Sequence, residues 1–137
     1  MTRQLHLNLF IQSRGHHEAS WRHPDATPLP LTDIRYYIAC AQKAEAAHFD
    51  SIFLADQLVV ADDVDHAGRT WLEPVTVLAA LAVSTQRIGL IATASTTYTE
   101  PFNLARQFAS LDHISSGRIG WNIVTSWAVG AARNFGD

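Results

Sequence analysis

Short apolar runs alternate with longer segments of helical periodicity along this chain. The longer segments space their apolar residues three or four positions apart, which predicts helices at 34–48, 75–84 and 101–115. The short runs have the length and composition of strands, at 5–11, 51–55, 87–96 and 118–125. Helices between apolar strands predict right-handed crossovers and a parallel sheet.

Local residue choices mark where the predicted helices begin and end. Thr32 is expected to cap the first helix, with Asp33 favouring the positive end of its dipole. Pro74 and Pro101 stand in the first turns of the next two helices, where a missing N–H does no harm. Gly117 suits the left-handed residue that ends the third helix.

Two parallel α/β architectures fit this order of elements: a doubly wound open sheet and a (β/α)₈ barrel. The open sheet is disfavoured because no GxGxxG or GxxxxGK[ST] motif follows a strand. A complete barrel needs roughly 250 residues, whereas this chain has 137. We therefore expect one partial domain over 1–137, the N-terminal half of a TIM barrel with about four βα units, with a long loop at 12–31.

Composition narrows the class of protein. The chain is 47% hydrophobic and 17% charged, which excludes a disordered tail. Its net charge is -3, which excludes a basic nucleic-acid-binding surface. Cys40 is the single cysteine, so no internal disulfide forms. The first residues lack the apolar segment of a signal peptide, and no run reaches membrane-spanning length. We expect a cytoplasmic protein with no membrane or nucleic-acid partner.

The candidate chemistry lies at the carboxyl ends of the strands, where parallel α/β proteins bind ligands. Asp56 follows the second strand, Thr93 and Ser95 end the third, and Asn122 interrupts the apolar fourth. Each has a structural alternative: Asp56 suits capping, the hydroxyl residues suit strand filling, and Asn122 suits backbone hydrogen bonding. No nucleophile with an adjacent base is visible, so no catalytic residue is predicted.

Two groups of histidine and aspartate residues raise the question of a metal. Neither has the spacing of a compact metal site, so solvated loops are predicted instead. The groups are His16, His17 and His23, and Asp62, Asp63, Asp65 and His66.

Several longer phrases resemble the bacterial luciferase-like flavin monooxygenases. The nearest subgroup contains the nitrilotriacetate, dibenzothiophene-sulfone and pristinamycin monooxygenases, and the resemblance covers nearly the whole chain. The phrases that carry it are WRHPDA at 21–26, FDSIFLAD at 49–56, LEPVTVLAALA at 72–82, the block from RIGLIATAST to WNIVTS at 87–126, and AARNFG at 131–136.

The resemblance implies a barrel that uses reduced FMN and O₂ to insert one oxygen atom into a small organic substrate. It also implies an NAD(P)H:flavin reductase as partner and a homo-oligomer at full length. Asp56 matches an aspartate near the flavin, Thr93 or Ser95 matches a hydroxyl residue at its ring, and Asn122 matches an asparagine facing the isoalloxazine. The flavin phosphate contacts are expected from a later part of the barrel.

Three alternatives stay open at this point. The first is a non-catalytic fragment of such an enzyme, the second is a small flavin-binding α/β module, and the third is a relative that uses a deazaflavin. We expect no monooxygenase turnover from these 137 residues alone, since half the barrel is missing from them.

Overall fold

The computed structural model describes residues 3–60 and 72–136, so the predicted group Asp62, Asp63, Asp65 and His66 lies outside the described residues. The strands are β1 (Asn8–Phe10), β2 (Ser51–Leu54), β3 (Gly89–Ser95) and β4 (Ile119–Val124). The helices are α1 (Ile34–Ala46), α2 (Pro74–Ser84), α3 (Pro101–Ser115) and α4 (Val129–Asn134). A single 3₁₀ turn, Ser20–Arg22, lies inside the long loop.

The strands form one parallel sheet in the order β1-β2-β3-β4. Alternate residues of β2 and β3 point into the core that α1 and α2 cover: Ile52, Leu54, Leu90 and Ala92. On β4, Trp121 is the register partner of Ala92 and its ring meets Phe108 of α3. Helices α1, α2 and α3 therefore pack on the same face of the sheet.

This one-sided order separates the two predicted architectures. A doubly wound sheet reverses its strand order and carries helices on both faces. Here every crossover steps the same way along the sheet, as in a (β/α) barrel. The barrel prediction is confirmed, and the open-sheet alternative is wrong.

The second face of the sheet is the one that a barrel turns inward. It carries Phe10, Phe53, Ile91 and Asn122, on the side of the sheet opposite the core that α1 and α2 cover. Gly120 is needed there, since a Cβ on it would lie 3.0 Å from Ile91 Cγ1. This face leads at its carboxyl end to the predicted site residues.

The helix boundaries differ from prediction in small ways with local causes. Asp33, not Thr32, caps α1, because its carboxylate accepts from the Arg35 amide at 2.9 Å and also pairs with the Arg35 guanidinium. That pairing, with the amide bond, lowers the pKa of Asp33 to about 2. Gly117 takes its predicted positive φ of 83°, but Ser116 before it is already left-handed at 58°.

The long loop at 12–31 follows a defined path. Arg14 donates from Nε to the Thr27 carbonyl at 3.1 Å and from Nη2 to the Leu29 carbonyl at 2.9 Å. Two adjacent tyrosines of α1 hold its ends, Tyr36 on the Ser13 carbonyl and Tyr37 on the Leu31 carbonyl. The Arg14 guanidinium is therefore engaged in hydrogen bonds within the loop itself.

A partly buried arginine, Arg118, holds the amino end of β4 in place. Arg118 donates from Nε to the Ser115 carbonyl at 2.7 Å and from Nη2 to the carbonyls of Ala82 and Thr85. Its Nη1 reaches the Thr85 hydroxyl and the Ile88 carbonyl, each at 2.9 Å. Because the carbonyls of Ala82 and Thr85 lie at or just beyond the end of α2, the cation also faces the negative end of that helix.

No helix among the described residues is both long and apolar enough to cross a lipid bilayer.

Candidate functional site

A cavity of about 280 Å³ opens at the carboxyl ends of β2, β3 and β4. All four residues selected from the sequence line it: Asp56, Thr93, Ser95 and Asn122. They meet because parallel strands present their carboxyl ends at the same edge of the sheet. Their grouping is therefore a direct result of the fold.

The deepest polar contact in the cavity joins β3 to β4. Thr93 and Asn122 are register partners, and Asn122 Nδ2 donates to Thr93 Oγ1 at 3.0 Å. Thr93 is only 4% exposed, so its hydroxyl gives the amide a fixed acceptor. Among the described residues the Asn122 carbonyl oxygen has no protein donor, which leaves it available on the cavity side.

A second layer of hydroxyl groups ties the same two strand ends together. The Ser95 and Ser126 hydroxyls are 2.8 Å apart, and Ser95 Oγ also accepts from the Thr97 amide at 3.2 Å. The Ser126 amide in turn donates to Thr97 Oγ1 at 2.9 Å. These bonds fix the main chain where β4 leaves the sheet.

Asp56 forms one edge of the cavity and is the only charged residue among the lining residues that the structure describes. Burial raises the pKa of its carboxyl; the Gln57 amide, bonded to Oδ1 at 2.9 Å, acts in the opposite direction, and Glu73 adds to the rise. Asp56 also lines a smaller cavity of about 70 Å³ beside β1 and α1. Asp56 therefore lies between the two cavities, and its carboxylate also accepts the hydrogen bond from the Gln57 amide.

A segment that the sequence did not predict closes the side of the cavity. Helix α4 lies against the residues after β2, and a Cβ on Gly130 would fall 2.8 Å from Val59 Cγ2. Asn134 Nδ2 donates to the Leu58 carbonyl at 2.9 Å. Ahead of α4, the Trp127 side chain joins the lining. Six residues are too few to show helical periodicity, so no pattern in the sequence could have found α4.

The charge of the site limits what it can hold. Among the described residues no lysine or arginine lines the cavity, and its walls are apolar side chains interrupted by hydroxyl, amide and carboxylate groups. Within 3–60 and 72–136 no cluster of three His, Cys, Asp or Glu residues is arranged to bind a metal. Such a lining suits a neutral, flat group with hydrogen-bonding edges better than an anionic one.

Several known proteins are similar to this chain over nearly its whole length. The family model described as luciferase-like monooxygenase matches 7–137, which confirms the resemblance seen in the sequence. The chain is similar to N-acetyl-S-(2-succino)cysteine monooxygenase of Bacillus subtilis (strain 168), at 52% identity over 97% of this chain and 30% of the relative. It is also similar to nitrilotriacetate monooxygenase component A of Aminobacter aminovorans, at 45% identity over 98% and 32%.

One solved structure adds a likeness in three dimensions. The crystal structure of riboflavin lyase with modified FMN and riboflavin matches with a TM-score of 0.86 and 38% identity, over 98% of this chain and 33% of that one. The chain thus spans about a third of the length of the relatives that it matches.

Proposed function

Because the chain belongs to the luciferase-like monooxygenase family, we propose that its cavity holds the ring of reduced FMN in an enzyme that oxygenates a small organic molecule with O₂. One observation carries this proposal: Asp56, Thr93, Ser95 and Asn122, chosen by resemblance, line a single cavity. The enzyme is proposed for the protein to which these residues belong, with the other strands of a barrel completing the site.

The lining residues fit the ring end of FMN. The cavity volume of about 280 Å³ lies just below the range of roughly 300–1,000 Å³ typical of small-molecule sites. That space suits a ring system and leaves its ribityl phosphate outside. No basic side chain lines the cavity within 3–60 and 72–136, so the phosphate is assigned to residues other than these lining residues.

The polar groups offer complementary partners to the heteroatom edge of such a ring. The Asn122 carbonyl oxygen and the Asp56 carboxylate accept hydrogen bonds, and the hydroxyl pair of Ser95 and Ser126 both donates and accepts. Thr93 orients Asn122 through the 3.0 Å bond. Bound reduced flavin supplies the electrons that let one oxygen atom of O₂ enter the substrate while the other leaves as water.

Two further roles fall to this part of the chain. The apolar side chains of Phe53, Leu58 and Val124 line the cavity and exclude water from it. Because burial raises the pKa of Asp56, its carboxyl is the group here best placed to take up or release a proton near the ring.

The partners follow from the same proposal. A separate NAD(P)H:flavin reductase supplies the reduced flavin, in keeping with the word "component" in the name of the nitrilotriacetate relative. The first substrate to test is N-acetyl-S-(2-succino)cysteine, named in the relative of 52% identity. Self-association and a cytoplasmic location stay predictions.

Anaerobic titration with reduced FMN tests the proposal. Asn122→Ala removes one positioned hydrogen-bonding group, worth about a 2- to 12-fold loss of affinity. Asn103→Ala is the matched control, since Asn103 is an exposed asparagine of α3 whose partner is Arg106. We expect less than a twofold change in the control; equal affinities in both variants and the parent protein would contradict the proposed site.

A further inference from the structure

Trp127 is the more exposed of the two described aromatic residues that line the cavity. Its side chain is 81% exposed and lines the opening. Within the described residues the indole makes no hydrogen bond and no ring contact, whereas the other aromatic lining residue, Phe53, packs on Phe10 at 4.9 Å. One unengaged aromatic face is therefore presented to whatever occupies the cavity.

The main chain that carries this indole is held on both sides. Before it, the Ser126 amide donates to Thr97 Oγ1, and the Ser126 hydroxyl bonds to Ser95. After it, Ala131 is buried at 1% exposure. Trp127 is thus an anchored residue with a free ring, which differs from a surface tryptophan on a loose loop.

The position of the ring indicates what it contacts. We propose that Trp127 is a further flavin-contacting residue, whose indole lies against the isoalloxazine ring in the cavity; this rests on the proposed function. Aromatic rings in contact gain stabilisation beyond the apolar area they bury.

Binding and emission of oxidised FMN test this contact together. Indole quenches flavin emission by electron donation at contact range, and phenylalanine does not. Trp127→Phe should therefore bind FMN within about threefold of the parent protein and yet leave the bound flavin several-fold brighter. Trp127→Ala should lose both effects and bind about 10-fold more weakly.

Trp21→Phe is the matched control. Trp21 is 55% exposed on the 3₁₀ turn, beneath Arg22, and does not line the cavity, so affinity and emission should stay unchanged. Parent-like affinity in Trp127→Ala, or parent-like emission in Trp127→Phe, would overturn the contact while leaving the proposed function standing. Absence of FMN binding by the parent protein would refute both.

Discussion

Replacing Thr93 by valine isolates the hydrogen bond that orients the site amide. Valine keeps the shape of threonine and removes the acceptor of the 3.0 Å bond from Asn122 Nδ2. Since Thr93 is 4% exposed, water does not freely replace the lost partner. A lost hydrogen bond and a donor left poorly paired together cost about 1.5 kcal/mol.

Urea denaturation followed by circular dichroism measures this cost. With a slope of about 2 kcal/mol per molar urea, the midpoint for Thr93→Val should fall by about 0.7 M. Thr96→Val is the matched control, because Thr96 is exposed and its hydroxyl reaches the Val124 carbonyl only at 3.3 Å. Its cost should stay below about 0.5 kcal/mol.

A third variant links this stability effect to the site. Thr93→Ser keeps the acceptor hydroxyl, so Asn122 keeps its orientation and the affinity for reduced FMN should match that of the parent protein. Thr93→Val should weaken that affinity. Equal midpoints in Thr93→Val and Thr96→Val, or equal flavin affinities in Thr93→Ser and Thr93→Val, would refute the orienting role of Thr93.

Two other variants test the ends of the sheet. Arg118→Ala removes the guanidinium from four helix-end and loop carbonyls and should lower the free energy of unfolding by about 3 kcal/mol in thermal or urea melts; Arg106→Ala, an exposed control, should change it by less than about 0.5 kcal/mol. Burial raises the pKa of Asp56, so the folded state disfavours the carboxylate. The resulting loss of folding stability is absent below the ordinary pKa of 3.8 and develops as pH rises through the folded pKa. Asp56→Asn should therefore stabilise the chain at pH 7 while weakening flavin affinity, and the stability gain should vanish near pH 3; a gain that is constant with pH would contradict the assignment.

The sequence predicted the sheet and the grouping of site residues for a shared physical reason. Short apolar runs place each strand, and parallel pairing then brings Asp56, Thr93 and Asn122 to one edge without further information. The assignment of a flavin ring to that edge came from the resemblance alone, since the residue types fit several small ligands.

What the sequence could not predict depends on contacts between distant residues. The acceptors of Arg118 are mostly main-chain carbonyls about thirty residues away, so its identity gives no sign of its role. Trp127 lines the cavity just ahead of α4, which approaches Val59 at Gly130, a contact across some seventy residues. Capping at Asp33 instead of Thr32 depended on the position of Arg35, two residues later.

The two ends of β4 carry separate tasks. Arg118 secures its amino end, and Asn122 lies four residues later, about 13 Å along the strand, in the cavity. Mutations near the carboxyl edge can therefore accumulate without disturbing the bonds that hold the amino edge.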